Sequence, residues 1–176
     1  MRQYFSDEEW STLLKAPMDA VMAICLADNV DPISFLQELK AGVTIVGEEL
    51  KRLDVAGDLA PALIASLSEI DSQEPLSGEQ LILKKQFEML GLMQTFKKAK
   101  EARDYAVGNF QKVATILETK VTGAQATDFK TWLMSIAQKV AEVQREGGVM
   151  GIGSSRISER ERDVLNKLAE ALGLPV

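Results

Sequence analysis

The sequence has no histidine and a single cysteine among its 176 residues. Without histidine, no Ser-His-Asp or Cys-His nucleophile can be assembled from this chain. His-ligated zinc sites and Glu-x-x-His di-iron bundles are excluded in the same way. One cysteine forms no internal disulfide, so the fold needs no oxidising compartment. Cys25 sits in the run Val21-Met22-Ala23-Ile24-Cys25-Leu26 and reads as a small buried hydrophobe rather than a reactive thiol. Long apolar runs are also missing: the longest uncharged one is far short of the roughly 20 residues that a membrane helix needs. The opening Met1-Arg2-Gln3-Tyr4-Phe5-Ser6-Asp7-Glu8-Glu9 has no signal-peptide core. A cytoplasmic protein with no membrane contact is expected. The net charge of −6 argues against general nucleic-acid binding, because phosphates repel it. No cofactor, metal or catalytic set is expected.

What is present is helical. With 46% hydrophobic residues the chain suits one globular domain over 1–176, with a candidate lobe boundary at the polar stretch 71–77. Apolar residues recur at spacings of three and four, and no alternating strand pattern occurs. The reading is all-α: a helical bundle of about six helices, the first kinked at Pro17, with one long helix in the middle.

The helix starts carry specific signals. Ser6-x-x-Glu9 is a capping box, with Phe5 and Trp10 at staple spacing. Asp31-Pro32 is an N-cap followed by proline in the first turn. Ser77-x-x-Gln80 and Ser158-x-x-Glu161 read as two further capping boxes, and Gly173-Leu174-Pro175 as a stop. The second helix is expected to bury Leu36, Leu39, Val43, Val46, Leu50 and Leu53, with Gly42 and Gly47 admitting a neighbouring helix. The third is expected to bury Leu59, Leu63, Leu67 and Ile70. No proline interrupts the chain from Ser77 to Val121, which would make a helix of about 65 Å. A break near Gly91 or Gly108 is therefore expected. The seam Met89, Leu92, Phe96, Ala99, Arg103, Ala106, Phe110, Val113, Leu117 serves a core face or a partner helix.

Charge is uneven. Residues 1–80 carry 5 basic and 15 acidic side chains, whereas residues 81–112 carry 7 basic and 3 acidic. Lys97, Lys98, Lys100 and Arg103 are therefore the candidate partner-binding residues, for an acidic protein surface or a second copy of this chain. Phe96 and Phe110 fall on the buried seam rather than beside the lysines, which disfavours a nucleic-acid groove.

The segment 147–158 is rich in glycine and leads into a helix. Its backbone amides, with Gly151, Gly153, Ser154, Ser155 and Arg156, form a candidate anion site. It is not a P-loop, having no Gly-Lys-Ser/Thr, and no strand precedes it. Carboxylate pairs such as Glu48-Glu49 and Asp28/Asp31 sit where helix surfaces and caps are expected, which is a poor setting for acid–base work. Asp28-Asn29-Val30-Asp31-Pro32 lacks the length and the glycine of an EF-hand.

Two stretches carry a resemblance. Trp132-Leu133-x-x-Ile136-Ala137, Glu146-Gly147-Gly148-Val149-Met150-Gly151-Ile152-Gly153 and Ser158-Glu159-x-Glu161 resemble the C-terminal signature of small all-helical bacterial proteins. Phe5-Ser6-x-Glu8-Glu9-Trp10-x-x-Leu13-x-x-Ala16-Pro17 is similar to their opening. The resemblance implies an all-helical fold, covers both ends better than the middle, and brings no activity with it. The function expected is a non-enzymatic helical interaction, scaffold or regulatory protein, self-associating or bound to a protein partner. A small-molecule or anion-binding protein is the alternative.

Overall fold

The computed structural model describes residues 1–146 and 157–176. Among them are a 3₁₀ turn, Arg2–Tyr4, and seven α-helices: α1 Asp7–Cys25, α2 Pro32–Glu49, α3 Leu59–Ser72, α4 Glu79–Met93, α5 Ala99–Lys120, α6 Gly123–Glu146 and α7 Glu159–Leu172. The described residues contain no strand, and the all-helical reading holds with seven helices rather than six.

The central element is α1. Its capping box forms in full, with Ser6 Oγ accepting from the Glu9 amide and the Glu9 carboxylate accepting from the Ser6 amide. Phe5 stacks on Trp10 at 5.6 Å, as the staple spacing predicts. The helix runs through Pro17 as one element. From Ala20 to Cys25 every side chain is buried, and α1 packs on all six other α-helices. A helix apolar all round has to be enclosed on all sides, and here it is.

Gly42 explains how α2 approaches so closely. A Cβ there would stand 2.7 Å from Val21 Cγ1 on α1 and 3.4 Å from Val140 Cγ1 on α6. Phe110, Val113 and Leu117 of α5 and Phe129, Leu133 and Ile136 of α6 complete the core. Each such side chain contributes about 1.5–3 kcal/mol on burial. At the other end, α7 begins on its own complete capping box, and Ser158 Oγ also donates to Asp28 Oδ2 at 2.7 Å. Gly173 has φ +75, and Leu174 N–H reaches back to Ala169 O, the expected left-handed stop.

Two local expectations fail and one is refined. The stretch 77–121 is two helices, as its length required, and the break lies at 94–98, just past Gly91 and away from Gly108. The end of α4 tightens into i→i+3 bonds, Thr95 to Leu92 and Phe96 to Met93, and Lys98 is extended. The chain turns there because Phe96 folds onto Tyr105, with ring centroids 5.2 Å apart. The capping box at Ser77 does not form. Gly78, with φ +58, takes the N-cap position and leaves Ser77 outside the helix. Finally, Leu36, Leu53, Ile70 and Leu92 are exposed, although their stripes were expected to be buried.

Candidate functional site

The break between α4 and α5 builds a groove. Its walls are Leu26 and Phe35 from the two ends of the α1–α2 connection, Leu90 and Met93 from α4, and Phe96 and Ala102 from the corner and α5. The groove measures about 310 Å³, with Lys97 and Lys98 on its rim. Gln86 holds α4 against α2 by donating to the Leu36 carbonyl at 3.0 Å. Exposed apolar side chains gather on these two helices: of the ten large ones among the described residues, five are Ile33, Leu36, Leu83, Phe87 and Leu92. Phe87 is 69% exposed, which no core role explains.

The four candidate partner-binding residues divide. Lys97 and Lys98 are exposed, join no ion pair among the described residues, and border the groove. Lys100 faces Asp104 one turn on, at 2.7 Å, and does not line the groove. Arg103 is structural: it donates to the Leu26 carbonyl at 2.7 Å and so satisfies the exposed end of α1. Of the other basic residues of the strip, Lys84 pairs with Glu74 and Glu88, and Lys85 with Asp71, whereas Lys112 is exposed and joins no ion pair among the described residues, but does not line the groove. The positive strip read from sequence thus contracts, at the groove, to Lys97 and Lys98. The candidate anion residues Gly151, Gly153, Ser154, Ser155 and Arg156 lie outside the described residues.

Two buried carboxylates merit comparison. Glu49 is 2% exposed and accepts from Trp132 Nε1 at 3.0 Å, from Arg52 Nη1 at 3.1 Å and from the Lys139 ammonium. Burial alone would raise its pKa, but the three donors outweigh burial and hold it below the usual carboxylate range. It is a satisfied pin between α2 and α6, not an acid–base group. Asp19, on α1, is 4% exposed and its Oδ2 has no hydrogen-bond partner. Burial pushes its carboxyl up to about 7, against a hydrogen bond from Asn109 and the charges of Lys15 and Lys112. Sequence reasoning passed over Asp19, although the signal was there: one acid inside Ala16-Pro17-Met18-Asp19-Ala20-Val21-Met22, a segment otherwise free of charge.

The remaining candidates are structural. Asp31 caps α2 through the Ser34 amide, and Asp28 accepts from Ser158. Cys25 is buried, and burial drives its thiol far up, so it holds no thiolate to react. Among the described residues no group of three Asp, Glu or Cys side chains is placed to hold a metal ion, and no helix is long and apolar enough to cross a membrane. Set against models of protein families, curated proteins and solved structures, the chain matches none of them.

Proposed function

We propose that this chain is a helical interaction protein whose α4–α5 groove receives an acidic amphipathic helix from a protein partner. The observation that carries this reading is the groove itself: apolar walls beside two lysines that join no ion pair among the described residues. An amphipathic helix in such a groove buries its apolar face and sets acidic residues opposite Lys97 and Lys98. The absence of a histidine or thiolate nucleophile supports a binding role over catalysis. The test is site-specific photocrosslinking in cells, with the crosslinker at Leu90 or Met93 and a control at Gln138. The expected result is a partner captured from the groove positions alone, through a segment that is acidic and apolar at helical spacing. Lys97→Glu with Lys98→Glu is expected to abolish the capture. Equal capture from Gln138, capture that survives charge reversal, or capture of a second copy of this chain would each overturn the proposal.

A further inference from the structure

A second cavity shares no residue with that groove. It lies between α2, α3 and the start of α4, and measures about 350 Å³, within the ordinary range of small-molecule sites. Val43, Leu50, Leu81 and Ile82 supply apolar wall, and Ser68 supplies a hydroxyl.

Gly47 gives this cavity its meaning. Glycine inside a helix is unfavourable relative to alanine, so a helical glycine usually answers a close neighbour. Gly42 has such a neighbour in Val21. Gly47, five residues on in the same helix, has nothing within 4 Å of where a Cβ would stand, and it lines the cavity. Gly91 and Gly108 face open space as well; beside Gly47 that space is bounded by α2, α3 and α4 and is large enough to take a ligand. Charge then narrows the ligand. Lys85 pairs with Asp71 at 2.6 Å, and Glu48 and Lys51 also line the cavity, so the charges that line it are balanced two against two.

We propose that the cavity between α2, α3 and α4 binds an uncharged, largely apolar small molecule, and that Gly47 keeps the space open for it. The test uses the full chain and N-phenyl-1-naphthylamine, a neutral fluorescent apolar probe, with melting temperature followed in parallel. The native chain is expected to bind the probe saturably at one site. Gly47→Leu fills the space while improving helix propensity. It is expected to raise the probe's Kd about tenfold or more and to raise Tm by about 2–4 °C. Gly91→Leu, at a helical glycine facing open space outside the cavity, is expected to raise Tm and leave Kd unchanged. Ser68→Leu fills the cavity from the α3 wall and is expected to weaken the probe as Gly47→Leu does, which keeps the test decisive if one variant fails to fold. Absence of saturable binding, a Kd unmoved by both filling variants, or loss of binding in the groove variant Met93→Glu instead would overturn the proposal.

Discussion

α1 and α4 are both rich in apolar residues, yet the fold treats them differently. α1 is enclosed by all the other helices, and its second half shows no solvent-facing side. α4 packs chiefly on α2, buries Gln86 and Met89, and leaves Leu83, Phe87 and Leu92 exposed. Apolar residues that the chain satisfies within itself report on stability, whereas those it leaves outside report on what the chain meets. The difference also separates two kinds of polar residue. The buried polar groups around α1 and α6 hold the core, while Lys97 and Lys98 lie exposed at the corner between α4 and α5.

The largest test of this contrast is a matched pair. Phe110→Ala, from the floor of the core, is expected to cost about 3–5 kcal/mol in urea unfolding. Phe87→Ala, from the outer face of α4, is expected to stay within about 0.5 kcal/mol. A comparable loss at both sites would show that α4 is as much core as α1.

The next effect comes from Asp19. Its folded pKa of about 7 lies above the ordinary value of 3.8, so the folded state holds a proton that the unfolded chain has released between those two pH values. This contribution is therefore largest near pH 4, declines as pH rises to 7, and is flat above 7. Asp19→Asn keeps the shape and removes the titration. Relative to the native chain, the variant is expected to gain on the order of 3 kcal/mol between pH 4.5 and pH 8, read from urea unfolding at both pH values. An equal difference at the two pH values would sink the assignment.

Glu49 gives a smaller effect of opposite sign. Its pKa is lowered, so its contribution is present above the unfolded pKa and disappears as pH falls through the folded one. Glu49→Gln weakens the bonds to Lys139, Arg52 and Trp132, and is expected to cost about 2 kcal/mol at pH 7. That cost is expected to shrink in acid, where the native carboxylate itself is protonated. A cost unchanged by acid would argue that packing, rather than charge, is what Glu49 provides.

Local signals were legible in the sequence where the residues that make them also satisfy them. Ser6 with Glu9, Asp31 with Ser34, Ser158 with Glu161, and Gly173 all mark helix ends that form within four residues of chain. The length of the stretch announced a break near Gly91 or Gly108, but its place at 94–98 was not legible, because the contact of Phe96 with Tyr105 lies there and helical periodicity passes through it unmarked. Ser77 failed because a glycine next to it offered a backbone conformation that serine rarely takes. Lys97 and Lys98 were identified as candidates, and Asp104 one turn on already marked Lys100 as a residue with a local partner, but the structure was needed to remove Arg103, whose partner, the Leu26 carbonyl, is 77 residues away. The groove and the cavity beside Gly47 were not legible at all, because empty space between helices leaves no mark in the spacing of residues.

The central position of α1 has a consequence for biosynthesis. This helix leaves the ribosome before α5 and α6, the helices that cover most of it. At about 5–20 residues per second, the segment Ala20–Cys25 waits on the order of 6–20 seconds for Phe129 to Val140 to emerge. During that interval the greasiest stretch of the nascent polypeptide has no permanent cover, which makes it the natural handle for a chaperone and the step at which overproduction at high temperature would first fail.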